Sequence, residues 1–165
     1  MEREHNMKTI VYQSNTGSAQ RYAQMLAEKL DMPCMPLKLA KKELPAGEEA
    51  VYIGWVRANT IVGYAQAAKR WKLTCAAAVG MNPNTATYLD ILKQHNKTSI
   101  PLFYLRGGLD LAKLKGLNKL LIKAVREDIL TRSDDDTGMT EVLRSGADLV
   151  SEDDLTEIIA FLLIQ

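Results

Sequence analysis

Blocks of apolar residues separated by polar, glycine- or proline-containing stretches run the length of this chain. Thr9-Ile10-Val11-Tyr12 is a β-branched and aromatic run closed by the polar segment Ser14 to Ser18, which predicts a strand and its loop. From Ala19 to Leu30, Tyr22, Ala23, Leu26, Ala27 and Leu30 recur at three- and four-residue spacing ahead of Pro33, the pattern of an amphipathic helix. Cys34 to Leu39 predicts a short edge strand. The loop that follows, with Pro45, Gly47 and two glutamates, leaves a second helix missing or vestigial.

Ala50 to Trp55 predicts a buried central strand, Val56 to Thr60 a loop, and Ile61 to Trp71 a helix with Ile61, Tyr64, Ala65, Ala68 and Trp71 on one side. Leu73 to Val79 is a further apolar run, ended by Gly80-Met81-Asn82-Pro83-Asn84; Thr85 to His95 reads as a helix and Ile100 to Leu105 as a fifth strand. Strands alternating with helices predict a parallel sheet covered on both faces, because parallel neighbours need a crossover that is normally helical. The expected class is α/β, a doubly wound three-layer α/β/α sandwich.

Beyond the turn Arg106-Gly107-Gly108, the pattern predicts a long helix over Leu111 to Ile129, a polar insert from Thr131 to Val150 and a last helix from about Glu152 to Leu163. Ser151 and Asp154 have the spacing of a capping box with Asp in place of Glu, so the acidic residues there are assigned to capping and not to metal. The long helix carries Leu114, Leu117, Leu121, Ala124 and Val125 on one stripe and Lys113, Lys115, Lys119, Lys123 and Arg126 elsewhere. Such a helix can lie on an anionic membrane surface or pack on its own domain with a solvated lysine face.

At 165 residues the chain suits one domain, expected over residues 8–165 after a disordered lead of residues 1–7. Apolar residues make up 47% and charged residues 25% of the chain, so a packed core is expected. The formal net charge of +1, from 21 basic and 20 acidic residues, gives no whole-molecule field for nucleic acid. Cys34 and Cys75 sit in apolar runs without metal-ligand spacing, which suits reduced thiols in a cytoplasmic protein. The charged N-terminal segment has no signal-peptide pattern, and no apolar run is long enough to span a bilayer. No Ser-His-Asp or Cys-His arrangement is suggested by His5 and His95.

The candidate chemistry lies where the first strand feeds the first helix. Ligands of open parallel sheets bind beyond the carboxyl ends of the strands, and backbone amides at a helix start favour a phosphate. Within Ser14-Asn15-Thr16-Gly17-Ser18-Ala19-Gln20, Gly17 lets the backbone approach an anion and Ser14, Thr16 and Ser18 offer hydroxyl donors. The same small polar residues also suit a plain turn and helix cap. The loop lacks the dinucleotide fingerprint and the lysine of a nucleoside-triphosphate loop, which leaves FMN as the simplest ligand.

Ile10-Val11-Tyr12-Gln13-Ser14-Asn15-Thr16-Gly17-Ser18, with Ala23 and Leu26 at the matching helix positions, resembles the strand and phosphate loop of flavodoxins. One position departs: Ala19 stands where that family usually has a hydroxyl. The resemblance implies a five-stranded parallel sheet of order 2-1-3-4-5 with a helical insert after the fifth strand, and FMN as cofactor. It further implies flavin contacts from Trp55, Val56, Arg57, Ala58 and Asn59, and from Gly80, Met81 and Asn82. Trp55 equally suits a core position at a strand end.

The layout from Ile100 to Leu163 resembles the flavodoxin-type, menaquinone-dependent protoporphyrinogen oxidases. That resemblance implies either an electron carrier or an oxidase-like enzyme, whose partners are a redox protein, a quinone or another small-molecule substrate, with peripheral membrane contact and homodimerisation both open. The competing expectation, raised by Ala19, is a flavodoxin-fold interaction module that no longer binds FMN.

Overall fold

A computed structural model describes residues 8–109 and 147–165. The expected lead of residues 1–7, the helix over Leu111 to Ile129 and residues 131–146 of the expected insert lie outside the described residues.

Strand β1 (Thr9–Gln13) leads into helix α1 (Ser18–Leu30), strand β2 (Cys34–Pro36) and helix α2 (Leu37–Glu43). Next come β3 (Glu49–Arg57), β4 (Thr60–Ile61), α3 (Tyr64–Arg70), β5 (Lys72–Gly80), α4 (Ala86–Asn96), β6 (Leu102–Arg106) and β7 (Gly108–Leu109). After residue 146 the chain resumes with β8 (Ala147–Asp148), a 3-10 turn (Glu152–Leu155) and helix α5 (Thr156–Leu163). The architecture is α/β with a mostly parallel sheet: its order is β2-β1-β3-β5-β6, and β4 adds to β3 as an antiparallel partner. β7 and β8 form a separate antiparallel ribbon, pairing Gly108 with Asp148 and Leu109 with Ala147.

Period-2 alternation sends the strand side chains to two cores. Ile10, Val51, Ile53, Cys75, Ala77, Val79 and Leu105 meet Tyr22, Ala23 and Leu26 of α1 with Leu155 and Ile158 near the C-terminus. Val11, Tyr52, Ala76, Ala78, Leu102 and Tyr104 meet Leu37 and Ala40 of α2, Tyr64 and Ala67 of α3, and Leu92 of α4. The alanine run Ala76–Ala78, fully buried on both faces, keeps the centre of the sheet thin. Tyr22 and Leu26 can therefore pack close to it from one side while Tyr52 and Tyr104 do so from the other.

Several expectations are corrected here. A second helix does exist: α2 buries Leu37 and Ala40, only two positions in seven residues, too few to register as a period. Val56 to Thr60 is not a loop but a hairpin, in which β3 runs on to Arg57 and turns back through Ala58 (φ 48°) and Asn59 (φ 65°). Two successive left-handed residues give the tight turn that matches strand twist. Ile61 lies in β4, and the helix begins only at Tyr64 after Gly63; Ala65 and Ala68 are exposed. Gly108 belongs to β7 and Ala147–Asp148 to β8, so neither is turn or polar insert. The last helix opens as a 3-10 turn capped by Ser151, whose Oγ accepts from Asp153 N at 3.2 Å, while Asp154 turns away from the cap.

Candidate functional site

The parallel register places Gln13 beside Gly54, Gly54 beside Ala78, Trp55 beside Val79, and Gly80 beside Arg106. The segments leaving β1, β3, β5 and β6 therefore all start from the same carboxyl edge. Ser14–Gly17, the hairpin begun by Trp55 to Arg57, Gly80–Asn82 and Gly107–Gly108 share one origin.

At β1, the backbone turns through Gly17 (φ 102°), where an added Cβ would find open space. Ser14 Oγ accepts from Gly17 N at 3.0 Å and fixes the turn. Helix α1 then starts with no side-chain cap and no acidic residue in its first turn, leaving its positive end facing the loop without a fixed counter-charge. Thr16 Oγ1 donates to Gly108 O at 3.4 Å, and Ser18 Oγ accepts from Gly108 N at 2.9 Å. Ser14 and Ser18 thus act as acceptors and keep a hydroxyl proton to donate, whereas Thr16 has committed its own. Ala19 is fully buried in the first core, so its methyl group packs and does not face the loop. Asn15 is half-buried between Ser14 and Thr16.

Gly107 makes the close contact with β7 workable. A Cβ there would lie 2.9 Å from Val79 Cγ1 and 3.2 Å from Ser18 Cβ, so only glycine lets the chain pass between β5 and the start of α1. Its amide donates to Gly80 O at 2.8 Å. Gly80 is itself pressed by Tyr104, whose hydroxyl would be 2.8 Å from a Cβ and which donates to Asn82 O at 2.8 Å. Gly80, Met81 and Asn82 are half-buried, with Met81 O accepting from Arg106 Nη2 at 3.4 Å.

Trp55 is half-buried and belongs to neither core among the described residues; the Arg57 guanidinium carbon stands 6.0 Å from its ring centroid. Val56 packs on the second core. Arg57 and Ala58 are exposed, and the Asn59 carbonyl accepts from Asn96 Nδ2 at 2.8 Å, which ties the hairpin tip to α4. The segment that does approach the end of β1 is Val62–Gly63. A Cβ on Gly63 would lie 2.7 Å from Gln13 Oε1, a proximity hidden in the sequence because the apolar period seemed to run through it.

A second polar cluster was also missed. The one hydroxyl proton of Tyr22 is shared between Arg106 O and Asp154 Oδ2 (3.0 Å), and its oxygen accepts from Ser151 N at 3.2 Å; Asp154 Oδ2 accepts in turn from Arg106 N at 3.3 Å. Burial pushes the Tyr22 phenol up; the Ser151 amide opposes that rise, and the Asp154 carboxylate adds to it. Asp154 thus ties the C-terminal segment to α1 and β6, which no local spacing could have disclosed. The two thiols hold no chemistry of this edge: burial pushes Cys34 up to about 11 and Cys75 up to about 12, and such thiols are inert.

No family model, curated protein or solved structure matches this chain. Among the described residues there is no cluster of His, Cys, Asp and Glu suited to a metal ion, and no helix long and apolar enough to cross a membrane.

The loop fits a phosphate group. An uncapped helix start without acidic residues, a positive-φ glycine and two hydroxyl protons form a donor set for an oxyanion with no basic side chain. Arg21, the nearest cation in sequence, is paired with Asp148 at 2.9 Å.

Proposed function

We propose that this chain is a flavodoxin-like FMN-binding redox protein. The observation that carries the reading is the shared carboxyl edge, where the phosphate-loop segment and half-exposed Trp55 leave paired strands at the same level. The sheet order, with β1 an inner strand between β2 and β3 and its loop beside the end of β3, supports the same reading. Ser14 and Ser18 would donate to the phosphate, with Gly17 allowing close approach. Trp55 would pack along the ring, and Gly80 to Asn82 would border it. FMN, when bound, supplies the electron-transfer chemistry, and the protein supplies binding, orientation and electrostatics.

The finer reading is an oxidase-like enzyme passing electrons from a reduced substrate to a quinone, as in the protoporphyrinogen oxidases that residues 100–163 resemble. It rests on sequence alone, and the basic helix that would meet a membrane lies outside the described residues. A separate observation favours a flavin-free interaction module: Thr16 and Ser18 are already bonded to the Gly108 backbone, so part of the loop is engaged by the chain itself.

A visible spectrum and fluorescence titration with FMN separate the two. The redox reading expects saturable binding that weakens about tenfold or more in Ser14→Ala and Ser18→Ala, the loss of a hydrogen bond to a charged group. Thr16→Ala, whose proton is spent on Gly108, should cost less. A protein that stays colourless at high FMN supports the interaction module.

A further inference from the structure

Arg106 ends β6 beside Gly80, and its guanidinium is incompletely satisfied. Nη2 reaches only Met81 O, at 3.4 Å, and Nε is buried with no partner at all. Among the described residues the side chain makes no ion pair, although Asp154 stands on the backbone amide of the same residue. A buried cationic donor without an acceptor is costly, and an arginine fork is well shaped for two adjacent acceptors in a plane. The residue as a whole is only half-buried, so a ligand at this edge can reach it.

Position decides which part of a ligand that is. The chain after Arg106 meets the phosphate-loop segment, Gly107 against Ser18 and Gly108 bonded to Thr16 and Ser18, but the Arg106 guanidinium turns to Met81 O in the Gly80–Asn82 segment. Its free donors therefore serve the part of a ligand that lies beside Gly80–Asn82, which in the reading above is the ring. Resting on the FMN reading above, we propose that Arg106 binds the carbonyl-bearing pyrimidine edge of the isoalloxazine ring, beside the Gly80–Asn82 segment. It then acts as a ring-recognition residue, separate from phosphate recognition.

The test compares FMN, riboflavin and lumiflavin, which share the ring but differ in phosphate and side chain, by fluorescence quenching on the whole chain. Arg106→Gln should weaken all three by the same factor, roughly tenfold to a hundredfold, and Arg106→Lys should recover part of it. Ser14→Ala should weaken FMN alone. Circular dichroism melting checks that both Arg106 variants fold; their backbone bond to Asp154 remains available. If Arg106→Gln leaves lumiflavin binding unchanged, or weakens only FMN, the ring contact is overturned while the FMN reading stands. If the unmodified chain takes up none of the three, the FMN reading itself falls and this inference with it.

Discussion

At Gly63 a single hydrogen atom in place of a methyl group decides whether α3 can begin. The residue has φ 83°, and a Cβ would press on the Tyr52 hydroxyl, on Gln13 Oε1 at 2.7 Å and on Leu37 Cδ2 at 2.8 Å. Gly63→Ala is expected to cost about 2–4 kcal/mol in urea unfolding, combining backbone strain with overpacking. Gly17 has the larger positive φ but open space around it, so alanine there should cost only about 1–2 kcal/mol. The sequence showed that Gly17 closes a strand, because polar residues surround it. It hid Gly63, because Ile61 and Tyr64 flank it at a spacing that also fits a helix. Asp154 was misread for a related reason: its spacing from Ser151 is that of a cap, but Tyr22, far away in the chain, offers it a better partner.

Among the elements, the hairpin β3–β4 depends most on a neighbour. Asn96, at the end of α4, accepts from Ile61 N at 2.8 Å and donates to Asn59 O at 2.8 Å and Leu92 O at 2.8 Å. The two-residue β4 and the Ala-Asn turn, which lacks the glycine that such turns favour, are held in place by these bonds. Asn96→Ala is expected to destabilise by about 1–3 kcal/mol, because it strands groups that the fold has partly buried. It should also speed amide exchange at Ile61 more than at Ile53 in the sheet centre. Equal exchange at both would show that the hairpin stands without Asn96. β1, β3 and β5 were legible as continuous buried runs and α1 from its buried period, and α4 from Tyr88, Leu89 and Leu92 on one side, whereas the short α2 and the hairpin offered no such run or stripe.

For the molecule as a whole, the return of the chain at residue 147 is secured by α1. Arg21 pairs with Asp148 at 2.9 Å and Tyr22 meets Ser151 and Asp154. The Arg21 hydrogen bond, with help from the Val150 amide, holds the Asp148 carboxyl below its ordinary 3.8. Because the folded value is depressed, this tie contributes above that pH and is lost as pH falls through the lower folded value. Both side chains are more than half exposed, so the effect on global stability is small and the readout must be local. An NMR titration of Asp148 should show its midpoint moving back toward 3.8 in Arg21→Ala, with the Val150 amide becoming less protected. The two-faced core was legible from composition and alternation, but this long-range closure was not, since it depends on side chains more than a hundred positions apart.

The pairing of Leu109 with Ala147 has a consequence for chain connectivity. The polypeptide leaves the described fold at Leu109 and returns to it at Ala147, at adjacent points of one ribbon. For an unstructured connection, joining two such ends costs only about 0.6 kcal/mol more for each doubling of length. The exit and return of the chain are thus fixed side by side next to the carboxyl edge by β7 and β8 themselves, whatever the number of positions that join them.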